Sequence, residues 1–186
     1  MAQTDAATQV AAHGHVWLGT VGTATKPTTT QLATFSSAGT VPSGWTTMGH
    51  TDAEDVLAFG QDGGDTTTLK SWQSDALRTT TESVTDYFVV KSLQVLDKTV
   101  LSLYYGGGDA TTTNEFSLPT APVATEKAVT VVILDTVPVA FYCPKVSIIR
   151  DDAFEFATDS LTTVPLKFTM LTVGSTKGIW ISTQLG

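Results

Sequence analysis

Gly44–Gln73 reads GWTTMGHTDAEDVLAFGQDGGDTTTLKSWQ, with an apolar strand-like start, an acidic middle and an apolar exit. Asp52, Glu54, Asp55, Asp62 and Asp65 fall here with no Lys or Arg before Lys70, too much charge for a core segment. Leu57 and Phe59 sit inside the acidic run, and Gly63-Gly64 supplies the positive-φ positions of a tight reversal. The stretch predicts an extended hairpin whose acidic part, Thr51–Asp65, projects from a body built by the rest of the chain. Its apolar residues then await cover from another chain, which makes Asp52, Glu54, Asp55, Leu57, Phe59, Asp62 and Asp65 the candidate contact residues.

The flanking sequence predicts that body to be mainly β. Thr is the commonest residue, Val, Gly and Ser are abundant, and sustained helical periodicity is nearly absent. Ala128–Leu134, AVTVVIL, predicts a strand buried on both faces, and Tyr87–Val90, apolar on both faces within Asp75–Val95, predicts a central strand. In Leu166–Val173, Leu166, Phe168 and Met170 alternate with Lys167 and Thr169, giving one dry and one wet face. Pro138 and Pro144 bracket Val139–Cys143, and prolines there suggest strand ends or edges. One helix is expected over about 97–105, with Asp97 placed to accept backbone N–H bonds at its start and Gly106 to stop it in the left-handed region. Residues 1–39 predict an extended N-terminal arm and loop region: polar Met1–Ala12 with no periodicity, a short strand at Val16–Leu18, and Thr23–Gly39 anchored only by Leu32 and Phe35.

At 186 residues the chain fits one domain over 1–186, large enough to bury a core without staples. A net charge of −8 argues against wrapping phosphate, which takes a basic surface. A lone Cys143 cannot form an intrachain disulfide, and its apolar strand predicts a buried, inert thiol. The N-terminus lacks the basic start and apolar stretch of a signal peptide, and no apolar run is long enough to span a bilayer, so neither secretion nor membrane insertion is expected.

Catalytic chemistry finds no footing. His13 and His15 share a strand face and could join His50 around a metal, but no acidic or Cys residue stands beside them at ligand spacing. Asp62-Gly-Gly-Asp65 offers oxygens for calcium without the EF-hand pattern, and Gly19-Thr-Val-Gly22 is too short for a dinucleotide fingerprint. No nucleophile elbow or Walker sequence is present, so no enzyme activity, cofactor or metal is expected.

The order of features resembles the major tail tube proteins of long-tailed bacteriophages, particularly those infecting Gram-positive actinobacterial hosts. The resemblance rests on His15-Val-Trp-Leu-Gly-Thr-Val-Gly-Thr23 followed by Pro27, Gly44-Trp-Thr-Thr-Met-Gly49, the acidic stretch through Leu69-Lys-Ser-Trp72, and Leu101-Ser-Leu-Tyr-Tyr-Gly106. Pro144-Lys-Val-Ser-Ile-Ile with Asp151-Asp152 and the Leu166–Val173 strand extend it over nearly the whole chain. Trp17, Trp45, Gly49, Trp72, Tyr104, Tyr105 and Gly106 are the structural residues those motifs carry over. The resemblance implies a β-sandwich or barrel-like body with one flanking helix, assembled as hexameric rings that stack into a hollow tube in the virion tail. It also implies assembly in the host cytoplasm, tail terminator, tape measure and baseplate or distal tail proteins as partners, and viral DNA passing without specific binding. A negative wall would hold the duplex off, and Glu82 and Asp86 are the candidate lumen residues. Two alternatives share the fold expectation: a tube protein of a secretion or contractile system, and a β-sandwich adhesin or carbohydrate-binding module using Trp45, Trp72 and Tyr105.

Overall fold

The computed structural model describes residues 8–35, 40–54 and 56–185. Among the described residues ten strands are formed: β1 His13–Gly19, β2 Trp45–Thr47, β3 Ala58–Asp62, β4 Thr66–Ser71, β5 Ser74–Thr81, β6 Thr85–Ser92, β7 Thr125–Leu134, β8 Val139–Arg150, β9 Val164–Met170 and β10 Ile179–Ser182. Two helices join them, α1 Thr29–Leu32 and α2 Lys98–Tyr105. The main sheet runs β2-β1-β7-β8-β9-β6-β3, and β10 pairs with the first half of β8. The mainly β architecture expected from composition is the one observed, and its layout is consistent with the sandwich that the resemblance implies.

The alternation of apolar residues builds two cores on the two faces of the sheet. One holds Val16, Leu18, Val129, Val131, Phe141, Cys143, Phe88 and Phe168, with Val100, Leu103 and Tyr104 of α2 laid over it. The other holds Trp17, Ala128, Val132, Ala140 and Tyr142, with Leu32 of α1 and Ala24. Strand β7 is buried on both faces because β1 and β8 flank it and both cores press on it. Strand β6 is central as expected, lying between β9 and β3.

Phe141 and Cys143 face the first core, and so do Val146 and Ile148, a parity that an unbroken strand cannot keep. A bulge reconciles them: Cys143 pairs with Val129 but Val146 pairs with Lys127, so three steps on β8 match two on β7. Pro144 lies in the extra step, where a missing N–H costs no ladder bond. The expected break at Pro144 is therefore a bulge inside one strand of twelve residues. It is also where β8 changes neighbours, from β10 over Val139–Tyr142 to β9 over Val146–Arg150.

Past that point β9, β6 and β3 curl over the sheet. In a flat sheet β3 would lie about 14 Å from β8, three strand spacings away. The Phe59 ring instead meets Phe141 at 5.0 Å and Trp180 at 5.4 Å, which closes the sandwich. Phe59, Phe88, Phe168 and Ile148 form one cross-strand row along the inside of this curl.

Helix α2 begins and ends as its sequence predicts. Asp97 accepts from the Thr99 and Val100 N–H groups, and Gly106 stops it at φ +66°. The expected arm needs a correction: His13–Gly19 is an interior strand between β2 and β7, because Val16, Trp17 and Leu18 each fill a core. Thr28 caps α1 with a reciprocal Gln31 contact, and Leu32 and Phe35, the anchors expected of Thr23–Gly39, pack in the second core, while residues 36–39 of that stretch lie outside the described residues. The Met1–Ala12 expectation falls within the described residues only at 8–12, which are exposed coil and bend.

Burial pushes the Cys143 thiol up to about 12. At pH 8 that leaves roughly one thiol in ten thousand as the reactive thiolate. The folded protein is expected to give no labelling by a maleimide on the timescale that labels it fully in denaturant. Fast stoichiometric labelling of folded protein would contradict this placement.

Candidate assembly surfaces

The acidic stretch forms a long hairpin whose layout differs from the expected one. Strand β3 pairs with β6 as Asp62 opposite Thr85, and β4 pairs with β5 as Thr66 opposite Thr81, a single continuous register. The reversal is therefore at Trp72-Gln73, not at Gly63-Gly64. The two glycines, at φ +81° and +85°, mark the place where the hairpin leaves the sheet, and a Cβ on Gly63 would stand 2.4 Å from the Ser83 carbonyl oxygen. Ala58–Asp62 is thus an edge strand of the body, and the projecting part is the next segment, Thr66–Thr81.

That outer ribbon is held by little besides itself. Thr66, Thr67 and Thr68 face Thr81, Thr80 and Thr79, a β-branched ladder suited to a pleated ribbon. At its neck the Glu82 N–H donates to the Asp65 carbonyl at 3.0 Å. Trp72 at the tip is 99% exposed, and Leu69 and Leu77 are open to solvent.

The candidate contact residues separate into two groups. Leu57 packs on the first core, Phe59 is 46% exposed, and the Asp62 carboxylate pairs with Lys167 at 2.6 Å. Lys167 also lies 3.9 Å over the Tyr87 ring, and its Asp62 partner raises the ammonium above its ordinary range. Asp52 accepts from the Glu54 N–H, Glu54 and Asp65 are exposed, and Asp55 lies outside the described residues. Of the two lumen candidates, Glu82 is exposed at the ribbon neck, whereas Asp86 accepts from Lys177 at 2.8 Å and Gln61 at 3.0 Å. The Lys177 contact first, and Gln61 second, hold Asp86 below the usual carboxylate range.

Most motif residues prove architectural. Trp17 is buried between His15 and Phe35, and Trp45 sits edge-on to Tyr142. Buried Trp45 is thereby removed from any exposed aromatic platform of the kind a carbohydrate module uses. A Cβ on Gly49 would meet Gln94 at 2.6 Å, and one on Gly106 would meet the Val123 carbonyl oxygen at 2.8 Å. The Tyr104 hydroxyl donates to the Asp152 carbonyl at 2.9 Å, fastening α2 to the loop after β8. Tyr105 lies half-buried beside it.

Sequence reasoning missed one surface and read another only in part. Tyr104, Tyr105, Pro122, Val123, Ile149 and Arg150 line a groove of about 340 Å³ at the end of α2. The three histidines line one cleft of about 460 Å³ with Asp52. Among the described residues no group of three or more His, Cys, Asp or Glu side chains could hold a metal ion, and no helix is long and apolar enough to cross a membrane. The spacing of His13 and His15 signalled the shared face that His50 could join, but the cleft itself and the place of Asp52 in it had no local signal.

The comparisons agree with this geometry. Residues 1–185 match the phage tail tube protein family. The major tail protein Gp23 of Mycobacterium phage D29 is 40% identical over 177 residues, covering 92% of this chain and 88% of that protein. The major tail protein Gp23 of Mycobacterium phage L5 is 38% identical over the same coverage. With a family match along its length and relatives at this identity, the chain belongs to the phage tail tube proteins, structural subunits of the virion tail and not enzymes.

Proposed function

We propose that six copies of this chain close into a ring by lateral contact between their sheet edges, and that rings stack head to tail into a hollow tube through which viral DNA passes. The observation that carries the proposal is the sheet path, which ends in β2 on one side and β3 on the other. Strand edges with unpaired N–H and C=O groups recruit other strands, and closure into a ring satisfies them without runaway aggregation. Half-exposed Phe59 on β3 gains cover in the same contact.

Stacking is a heterologous contact that does not close, so it propagates a filament. The outer ribbon is the element proposed for it, with Asp65 at its neck. The chain's −8 charge keeps duplex DNA from adhering to the wall, within a screening length of about 8–10 Å. Glu82 is better suited to that role than Asp86, whose charge Lys177 offsets. Tail terminator, tape measure and baseplate or distal tail proteins then meet the tube at its ends or along its bore.

Negative-stain microscopy and mass measurement of concentrated protein test this. Sixfold annuli or tubes that retain no added duplex are expected. Persistence as single molecules of 19.6 kDa under all ionic conditions would overturn it.

A further inference from the structure

We propose that Trp72, at the tip of the outer ribbon, inserts into the groove at the end of α2 on a second copy of this chain. The proposal rests on the assembly reading above and names the two surfaces that meet in it.

The ribbon is a charge exception. Lys70 and Arg78 against Asp75 leave Thr66–Thr81 at +1 in a chain of −8. Its tip carries the most exposed large apolar side chain among the described residues, with Leu69 and Leu77 behind it. A desolvated Trp with Arg near it is the residue chemistry that concentrates binding energy at protein interfaces.

The groove has the complementary character. Tyr105, Val123 and Ile149 give it an apolar lining, and Arg150 stands in its wall where a guanidinium can stack on an indole. The wall is already fixed, because the Val123 N–H donates to the Gly106 carbonyl at 2.8 Å and Tyr104 is tied to Asp152 at 2.9 Å. Beside it runs Asp151–Leu161, with Asp151, Asp152, Glu155 and Asp159 and no Lys or Arg. Phe156 and Leu161 in that segment are each 76% exposed. Phe156 continues through Phe154 to Tyr104 by ring contacts of 5.7 and 5.1 Å, so exposed and buried aromatics form one track. An apolar slot beside four carboxylates fits a cationic, Trp-tipped ribbon, and the one on this chain is the occupant proposed.

The test mixes two single-site variants, Gln73→Cys beside the tip and Val123→Cys in the groove, under assembling conditions, and oxidises them; native Cys143 is fully buried. A disulfide joining the two different subunits, found by mass spectrometry, is expected. Trp72→Ala is expected to leave the circular dichroism unchanged and raise the critical concentration for assembly about 30-fold. Tubes that form without the mixed disulfide would overturn the docking and leave assembly standing, whether Val123→Cys stays open to maleimide or is covered by something else. Wild-type protein that never assembles would remove the assembly reading, and this docking with it.

Discussion

Replacing Thr66–Thr81 by Asn-Gly is expected to give a folded monomer that no longer forms tubes. The excision is prepared by the native geometry: the Glu82 N–H already donates to the Asp65 carbonyl at 3.0 Å, the bond that closes a β-turn around two residues. Asn-Gly suits the two central positions, both of which need positive φ in the favoured hairpin turn. Nothing in either core is touched, since the ribbon from Thr66 to Thr81 contributes no buried apolar residue. An isolated two-stranded ribbon is marginal in water, so its loss should leave the thermal midpoint within a few degrees of the parent. Assembly is another matter, because the ribbon's tip carries the most exposed large apolar side chain among the described residues. Sedimentation should find the parent as rings or tubes and the variant near 18 kDa, the parent's 19.6 kDa less the excised residues. Tubes of ordinary length from a folded variant would mean that the ribbon decorates the assembly and does not build it.

The layout of that ribbon marks the limit of what single-chain patterning makes legible. Ala128–Leu134, the Asp97 and Gly106 caps and the alternation of Leu166, Phe168 and Met170 each state a local preference that the tertiary fold keeps. Gly63-Gly64 states a preference too, for positive φ, but a tight turn and a close backbone crossing demand it equally. Only the approach to Ser83 tells them apart, and Ser83 is twenty residues on. Trp72-Gln73, the true reversal, contains neither Gly, Pro, Asn nor Asp, so turn chemistry gave no sign of it. Pro144 misled for a related reason: its lost N–H is compatible with a strand end and with a bulge, and the deciding fact is the pairing of Val146 with Lys127. The contact residues were the least legible, because Leu57 and Phe59 look alike in an acidic run. One is tucked onto its own core, and the other stands at an open edge.

Phe168→Ala should have the opposite effect to the ribbon excision, losing the fold first and assembly only in consequence. Phe168 is fully buried, stacks on Phe88 at 4.8 Å with the rings 6° from parallel, and lies opposite Ile148 on its other side. It is the middle of the row that holds β9, β6 and β3 against β8, where neighbours on both sides are fixed by backbone pairing and cannot collapse into the space. Truncations of this kind cost about 3–5 kcal/mol, against a total near 5–15 kcal/mol for a domain. Urea unfolding followed by circular dichroism should show the midpoint fall by about a fifth or more with the slope retained. Phe59→Ala, at the open end of the same row and 46% exposed, should cost less than half as much in the monomer. Because Phe59 faces the β3 edge, its truncation should still weaken lateral assembly, so the two variants rank oppositely when assembly loss is divided by stability loss. Equal stability losses at the two positions would show that the curl is not anchored by this row, and that β3 is held to the body by something other than its aromatic neighbours.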